Sequence, residues 1–341
     1  MTQSRHSPGG NVDRTSSLGL DTLLTRLWGI DVPIIGAPMA GRAGGELAAA
    51  VSSAGGLGMI GVGSNTGPEW IAENAETASD GGNFGIGLMV WALDADVAAT
   101  GRSEQFDAAI AANPTVLSLG FGDPGPWVKR AHDAGISVVA PVNTRLQLRQ
   151  ALDADVDVIC AQGSDAGGHT GRVGTMALMQ NIMAYVSVNA PAVPVAVAGG
   201  IGSGRGVAAA LGAGADAAWI GTALLGSPEA MGSADLRAAA VRASSRHAVL
   251  TDIYDRAEQV DWDVETWPTR TVRNDFVDRY AGDVSVTDEE LVAARAPGGE
   301  YADELKLHAG QGIGLLTQQE PAGQVVRRLA QEASRLLRRF S

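Results

Sequence analysis

The stretch Pro194–Leu225, PVAVAGGIGSGRGVAAALGAGADAAWIGTALL, is the clearest indication of the fold because its pattern predicts a strand, a turn, a helix, a strand and a turn in succession. The runs PVAVA and DAAWI are apolar and strand-like, and the alanine-rich segment between them is typical of a helix. The runs end in glycine turns at Gly199-Gly200 and Gly221-Thr222. In a parallel sheet both turns lie at the carboxyl ends of neighbouring strands, beside helix N-termini with unpaired N–H groups. The stretch therefore predicts a phosphate-binding cradle.

Similar apolar runs alternate with helix-like segments from about residue 33 to residue 225. This alternation predicts βα units around a parallel sheet. Eight strands in this pattern predict an α/β fold of the (β/α)8 TIM barrel type. The predicted strands are Pro33–Ala37, Leu57–Val62, Phe84–Val90, Thr115–Leu119, Ser137–Pro141, Asp157–Ala161, Pro194–Ala198 and Asp216–Ile220.

The chain changes in character after Leu225. Residues 227–310, called the insertion below, are richer in charge and have few clear strands, so they predict a smaller, mostly helical domain after strand 8 that acts as a lid and shapes the substrate site. Residues 18–226 and 311–341 then form the barrel, which ends with an amphipathic helix starting near Glu320. Residues 1–17 are polar and predict a disordered tail without the apolar core of a signal peptide.

The composition of the chain argues against several classes of function. The chain of 341 residues is 45% hydrophobic and has a formal net charge of −13, which argues against binding to nucleic acid or to anionic membranes. No apolar run reaches membrane-spanning length. Cys160 is the only cysteine and lies in an apolar strand, so we expect a core residue, no disulfide and a reducing, cytoplasmic location.

The loop after the sixth predicted strand, Gln162–Gly171 (QGSDAGGHTG), places His169 among four glycines. Glycine lets the backbone approach a ligand, and an imidazole exchanges protons near neutral pH, so the loop is a candidate active site. By itself it is equally compatible with a turn that carries an exposed histidine. No spacing indicates a metal site. The other histidines lie in no motif and are predicted to be surface or structural residues: His6, His132, His247 and His308.

Several motifs in order resemble the nitronate monooxygenases, formerly called 2-nitropropane dioxygenases, across nearly the whole chain. The segments that carry the resemblance are Gly36–Gly41 (GAPMAG), Glu46–Ala48, Ala54–Gly58 (AGGLG), Phe121–Pro124 (FGDP), the Gln162–Gly171 loop, Ala198–Ile201 (AGGI), Gly221-Thr222 and Ala309–Gly312 (AGQG). The resemblance implies a TIM barrel that binds FMN noncovalently. A smaller domain would cover the flavin and leave a substrate cavity between them.

The resemblance also implies roles for individual residues. The turn after the first strand runs beside the flavin ring, and the turns after the last two strands hold the phosphate. His169 would be the catalytic residue, which removes the α-proton of a neutral nitroalkane or binds the anionic nitro group of a nitronate. The implied cofactor-binding residues are Ala37, Pro38, Met39, Gln162, Gly167, Gly168, Gly199, Gly200, Trp219, Ile220, Gly221, Thr222 and Gln311.

The implied reaction is FMN-dependent oxidation of an alkyl nitronate by O2 to a carbonyl compound and nitrite, with propionate 3-nitronate as the expected substrate. The expected partners are thus small molecules, and a homo-oligomer is compatible with the sequence. Three positions depart from the family pattern: Gly87 replaces a common asparagine, Trp91 follows the third strand, and Asp165 replaces a glutamate. These departures concern substrate preference more than flavin binding.

Two other functions are compatible with parts of this pattern, and a third is disfavoured. An NAD(P)H-dependent flavin reductase, of the quinone reductase or enoyl-acyl-carrier-protein reductase type, shares the glycine-rich loops and the histidine. A flavin-binding barrel without catalysis is suggested by the missing asparagine at Gly87. A dinucleotide-binding domain is disfavoured, because Gly56–Gly61 precedes a strand, and Gly120–Gly125 has no ribose-binding acid after the next strand.

Overall fold

The apolar runs form one parallel sheet in the structure, a computed structural model that describes residues 18–339. The predicted tail, residues 1–17, lies outside the described residues. The barrel strands are β1 (Ile34–Gly36), β2 (Gly58–Gly61), β3 (Phe84–Met89), β4 (Val116–Gly120), β5 (Ser137–Val142), β6 (Val158–Gln162), β8 (Val195–Ala198) and β9 (Ala217–Ile220). A second sheet contains β7 (Gly168–His169), β10 (Ala248–Thr251) and β11 (Thr269–Val272).

Helices connect the barrel strands on the outside, and four short helices lie in the insertion. Around the barrel they are α1 (Leu23–Trp28), α2 (Gly45–Ser52), α3 (Pro68–Ser79), α4 (Val90–Thr100), α5 (Glu104–Ala111), α6 (Gly125–Asp133), α7 (Arg145–Asp153), α8 (Thr175–Asn189) and α9 (Gly204–Gly212). In the insertion they are α10 (Ala234–Arg242), α11 (Ile253–Ala257), α12 (Asp275–Tyr280) and α13 (Asp288–Arg295). The final helix α14 (Ala322–Leu337) packs on α9 and α2 and completes the ring, as predicted.

The sheet closes into a barrel with the strand order β1-β9-β8-β6-β5-β4-β3-β2. Its two end strands meet where the N–H of Leu57 donates to the carbonyl of Ile34 at 3.0 Å, and the N–H of Gly36 donates to the carbonyl of Leu57 at 2.8 Å. The TIM barrel and all eight predicted strands are confirmed. The third strand is shorter than predicted, because Val90 already begins α4.

The barrel interior is filled by apolar side chains that alternate along the strands with those facing the helices. Cys160 is 1% exposed inside this interior, as predicted for a core residue, and burial raises the pKa of its thiol. A thiol without a thiolate form is chemically inert. The interior side chains are Ile35, Leu57, Met59, Val116, Val139, Val158, Cys160, Ala196, Ala198, Ala217 and Trp219.

The insertion combines its four helices with two strands that the sequence did not indicate. Strands β10 and β11 pair antiparallel, and β11 also pairs with β7, which belongs to the loop after the sixth barrel strand. The insertion has its own small core around Tyr254, Phe276 and Leu291. The pairing of β11 with β7 attaches this segment directly to the rim of the barrel.

Glycine at position 58 permits the close packing of β2 against α2. A Cβ atom on Gly58 would lie 2.0 Å from the carbonyl oxygen of Ala48, so we expect Gly58→Ala to lower the free energy of unfolding by about 1–3 kcal/mol, the usual cost of overpacking. Chemical denaturation measures this change. The control is Gly212→Ala at the end of α9, whose added Cβ would meet only Leu337 at 3.7 Å, and equal destabilisation of both variants would contradict the prediction.

Candidate active site

Loops that follow β1, β6, β8 and β9 meet at the carboxyl end of the barrel. A Cβ atom on Gly221 would lie 3.2 Å from the Cβ of Ala37 and from the sulfur of Met39. A Cβ atom on Gly200 would lie 3.2 Å from the Cβ of Asp165. Active sites of TIM barrels lie at this face, so the structure brings the sequence-predicted segments to the expected end of the fold.

The two glycine turns leave backbone donors unpaired. Gly199 and Gly200 have φ values of 107° and 70°, which other residues rarely adopt. Within residues 18–339, the N–H groups of Gly200, Gly221 and Thr222 donate no hydrogen bond to the protein. Helix α9 starts directly after the first turn, with the Ser203 hydroxyl as its N-cap. Unpaired N–H groups beside a helix N-terminus stabilise an anion, and this cradle fits the phosphate of a flavin nucleotide.

The turn after β1 packs against glycines of the neighbouring strands. A Cβ atom on Gly87 would lie 2.3 Å from the Cβ of Pro38, and one on Gly61 would lie 2.4 Å from the carbonyl carbon of Met39. Pro38 therefore occupies the space that a side chain at position 87 would need. An asparagine at this position, common in the family that the sequence resembles, does not fit while the turn keeps this conformation.

Three predicted cofactor-binding residues are placed differently from the others. The side chains of Trp219 and Ile220 are buried in the core, at 5% and 0% exposure, so only their backbone can face a ligand at the rim. Gln311 is exposed and begins a 3₁₀ helix, Gln311–Leu315, after the insertion. Its N–H donates to the carbonyl of Asp165 at 2.9 Å, which ties this helix to the histidine loop.

Asn143, which directly follows β5, is hydrogen-bonded to the first residue of the histidine loop, Gln162. Its amide nitrogen donates to the backbone oxygen of Gln162 at 2.7 Å and lies 3.2 Å from the Gln162 side-chain oxygen. Its own oxygen accepts from the indole N–H of Trp267 at 3.0 Å. The Gln162 side chain in turn donates to the carbonyl of His169 at 3.3 Å. The orientation of Gln162 is therefore fixed by neighbours from both the barrel and the insertion.

His169 lies at the junction of the barrel loop and the insertion. It pairs with Thr269 across β7 and β11. Its Nε2 lies 3.1 Å from Oδ1 of Asp255 and 2.7 Å from Oγ1 of Thr269, and that hydroxyl donates to Oδ2 of Asp255 at 2.7 Å. The side chains of His169 and Asp255 are 14% and 8% exposed. A titratable imidazole that is shielded and paired in this way is suited to proton transfer.

Aromatic rings enclose the imidazole. The indole of Trp262 stacks on His169 with ring centroids 3.5 Å apart and planes 12° apart. Phe121, which has a φ of 63°, and Trp91 both meet Trp262 edge-on, with ring centroids 5.1 Å away. Trp91 thus packs against Trp262 of the insertion, whose indole covers one face of the imidazole. The insertion gives the site apolar walls.

His308 lies in the same region and is structural rather than a surface residue. Its backbone forms a β-bridge with Thr271, and its ring meets Tyr254 edge-on with ring centroids 6.1 Å apart. Burial, and then the positive charge of Lys306, lower the pKa of His308 to about 3, so its imidazole is neutral at physiological pH. Its Nδ1 is buried without a hydrogen-bond partner among the described residues.

The remaining histidines are not part of the site. His132 pairs with Asp157 at 3.0 Å, and His247 is half-buried next to Arg246, while His6 lies outside the described residues. Between residues 18 and 339, no group of three His, Cys, Asp or Glu side chains could hold a metal ion. The helices of this part of the chain are all too short or too polar to cross a membrane.

The site contains residues that sequence reasoning missed. Asn143 carried one usable signal, its position at the end of a predicted strand. The residues of the insertion carried none, since they lie 86 to 100 positions from His169 along the chain, in segments without a motif. The missed residues are Asn143, Asp255, Trp262, Trp267 and Thr269.

Two curated proteins are similar to this chain. A protein of Mycobacterium tuberculosis that is provisionally named a monooxygenase is 32% identical over 240 residues, which is 68% of this chain and 62% of that protein. The match thus spans less than two thirds of that relative. A protein of Staphylococcus aureus that is provisionally named a nitronate monooxygenase is 28% identical over 364 aligned positions, covering 92% of this chain and 98% of the relative.

Two solved structures are also similar. FabK from Thermotoga maritima has a TM-score of 0.77 and 27% identity, covering 94% of this chain and 98% of FabK. The nitroalkane oxidase of Streptomyces ansochromogenes has a TM-score of 0.74 and 27% identity, covering 94% of this chain and all of the oxidase. The barrel and the insertion together are therefore shared with both proteins.

The phosphate cradle can be tested at Gly200. The substitution Gly200→Ala adds a Cβ atom at a φ of 70° and 3.2 Å from Asp165, so we expect a loss of about 1–2 kcal/mol of stability together with weaker retention of flavin. Flavin absorbance per chain after gel filtration measures the retention. The control is Gly101→Ala, which has a φ of 83° and nothing within 4 Å of the new atom. Equal flavin content in both variants would contradict the assignment.

The geometry and the comparisons agree on the family. The glycine turns, the histidine loop and the enclosing insertion lie at the catalytic face of a TIM barrel, as the sequence motifs predict. The model of the nitronate monooxygenase family matches residues 21–332, which is most of the chain. The chain belongs to the nitronate monooxygenase family of flavin-dependent oxidoreductases.

Proposed function

We propose that this protein binds FMN and oxidises alkyl nitronates with O2 to a carbonyl compound and nitrite, with propionate 3-nitronate as a substrate. The observation that carries the proposal is the position of His169, which is enclosed beside the phosphate cradle and paired with Asp255 at 3.1 Å. Family membership supports oxidation of nitronates in general. The identity of the nitronate and the use of O2 are this proposal's own additions.

The FMN would be held by the rim loops of the barrel. The Gly199-Gly200 and Gly221-Thr222 turns would bind its phosphate, and the Ala37-Pro38-Met39 turn and Gln162 would line the ring. Gly167 packs so closely on Gly310 that an added Cβ would lie 2.5 Å from the Gly310 nitrogen, which leaves the loop backbone near the cofactor. The bound flavin supplies the electron transfer from the substrate, and the protein supplies orientation and charge.

His169 performs the acid–base and anion-binding work in this proposal. In its protonated form the imidazole donates a hydrogen bond to the anionic nitro group of a nitronate, which orients the substrate. The neighbouring carboxylate of Asp255 offsets the positive charge of the imidazolium. The rings of Trp262 and Phe121 reduce the access of water, since the His169 side chain is only 14% exposed. A shielded site of this kind strengthens the electrostatic contact with the substrate.

A second candidate function is that of an NAD(P)H-dependent flavin reductase. The observation in its favour is the similarity to FabK, which has the same 27% identity as the nitroalkane oxidase and a slightly higher TM-score. The glycine turns and the histidine serve either function. A flavin-binding barrel without catalysis has less support, because the chain belongs to a family of oxidoreductases.

The visible spectrum of the flavin distinguishes the two candidates. Under anaerobic conditions, we expect propionate 3-nitronate alone to bleach the flavin absorption of the purified protein, because the substrate itself is the electron donor. NADH and NADPH, added separately, should leave the spectrum unchanged. Admission of O2 should restore the colour and release nitrite. Bleaching by a nicotinamide but not by the nitronate would assign the protein to the reductases.

The role of His169 is tested by His169→Gln. We expect kcat/KM for the nitronate to fall about 10- to 100-fold, because a hydrogen bond to a charged group contributes about 1.5–3 kcal/mol. Nitrite release under steady-state conditions measures the change. The control is His132→Gln, which removes a histidine that pairs with Asp157 outside the site and should leave kcat/KM unchanged. An unchanged value for His169→Gln would remove this residue from the mechanism.

A further inference from the structure

Two residues of the insertion determine which nitrogen of His169 carries a proton. Nε2 faces Oδ1 of Asp255 at 3.1 Å and Oγ1 of Thr269 at 2.7 Å. An ionised carboxylate only accepts hydrogen bonds, so an unprotonated Nε2 would place two lone pairs against each other. The Thr269 hydroxyl donates its single hydrogen to Oδ2 of Asp255 at 2.7 Å, so its oxygen is free to accept from Nε2. Both contacts therefore require Nε2–H.

The other ring nitrogen is available for chemistry. Nδ1 of His169 has no hydrogen-bond partner among residues 18–339 and is not among their buried, unsatisfied atoms. When Nε2 carries the proton of the neutral ring, Nδ1 carries the lone pair. The structure thus places a free basic nitrogen in the enclosed site, with its tautomer fixed from the opposite side of the ring.

We propose that Asp255 and Thr269 are positioning residues that hold His169 as the Nε2–H tautomer, so that Nδ1 takes the α-proton of a neutral nitroalkane. Removal of the α-proton of a neutral nitroalkane is a role that the family resemblance implies for His169, and the structure adds which ring nitrogen would perform it and which residues would prepare that nitrogen. This inference rests on the proposed function. Both positioning residues belong to the insertion, so this segment would set the tautomer of the catalytic histidine.

The proton transfer is balanced within the site. The bond between the α-carbon and its hydrogen breaks, the proton moves to Nδ1, and the electron pair moves through the carbon–nitrogen bond onto the nitro oxygens. The products are the nitronate anion and an imidazolium. That imidazolium donates to Asp255 from Nε2 and to the nitronate from Nδ1, so both of its N–H groups have an anionic partner. The nitronate is then oxidised as in the proposed function.

Asp255 is the charged side chain in direct contact with the His169 ring. His308, whose pKa is low, adds no positive charge nearby. The guanidinium of Arg270, on the adjacent strand, donates to the carbonyls of Ser164 and Ala248 at 2.7 and 2.9 Å, and Asp165 lies close enough to act on its charge. The nearest full charge to the imidazole is therefore the carboxylate, which would offset the positive charge that the proton transfer places on the ring.

The burial of Asp255 supports its role in positioning His169. A carboxylate whose side chain is only 8% exposed is costly to desolvate unless hydrogen bonds compensate it. Its side-chain hydrogen bonds go to His169 and Thr269, and neither partner is a permanent cation. An apolar residue would fill the same space without that cost. The tautomer and the charge that develops on the ring thus give a physical reason for a buried carboxylate beside the histidine.

The test is Asp255→Asn, assayed with a neutral nitroalkane and with its preformed nitronate. The amide can still accept from Thr269, while its NH2 group donates to Nε2 and moves the ring proton to Nδ1. We expect kcat for the nitroalkane to fall about 10²–10⁴-fold, because the base is lost. Turnover of the nitronate should fall much less than turnover of the nitroalkane, because Nδ1–H still donates to its nitro group although the charge of Asp255 is lost. Equal losses on both substrates would overturn the inference.

A second measurement does not depend on turnover. Nitrogen NMR of the labelled histidine side chains in the holoenzyme should find the Nε2–H tautomer of neutral His169 in the wild type and the Nδ1–H tautomer in Asp255→Asn. Thermal melting confirms that the variant is folded. The same tautomer in both proteins would overturn the positioning role, even if the variant lost activity for other reasons.

Three further variants serve as controls for Asp255→Asn. Asp157→Asn alters the His132–Asp157 pair, which also joins Nε2 to a carboxylate at 3.0 Å but lies outside the site, and should change neither substrate's turnover. Thr269→Val should reduce nitroalkane turnover, and Thr269→Ser, which keeps the hydroxyl, should restore it. Wild-type oxidation of the nitronate but not the nitroalkane would overturn this inference alone. Oxidation of neither would overturn the proposed function itself.

Discussion

The pairing of Gly168–His169 with Thr269–Arg270 is the interaction on which the site depends. It joins a loop of the barrel to a strand that follows about one hundred residues later, and it is reinforced by the buried guanidinium of Arg270, which donates to the carbonyls of Ser164 and Ala248. Burial lowers the pKa of Arg270, but its hydrogen bonds and the nearby Asp165 keep the charge compensated. Without this pairing, His169 would lie on a glycine-rich loop with no fixed orientation.

Close backbone contacts make this arrangement possible. The loop after β6 and the segment after the insertion approach so closely that a Cβ atom on Gly167 or on Gly310 would lie within 2.5 Å of the other segment's backbone. The Thr222 hydroxyl accepts from the N–H of Gly310 at 2.9 Å and links the same segment to the turn after β9. The cradle and the histidine loop are thus held by one set of contacts, so a ligand bound at one would be positioned relative to the other.

Much of the fold was predictable, because each barrel strand is an apolar run bounded by turn residues and depends mainly on local pattern. The short strands β10 and β11 were not, since the segments AVLT and TRTV become strands only through each other and β7. Likewise, Gly87 seemed to be a lost cofactor contact in the sequence. In the structure it is the position against which Pro38 packs.

Local pattern was enough to predict the barrel, the rim on which the glycine turns lie and the histidine that the loop carries, because periodicity and strand order place these features without long-range information. The surroundings of that histidine became visible only in the folded chain. Asp255, Trp262 and Thr269 are scattered through a segment without a motif, and they reach the imidazole because β11 pairs with β7 and α11 packs beside it. Hydrogen bonds and ring contacts of this kind depend on distances in space, which sequence separation does not encode.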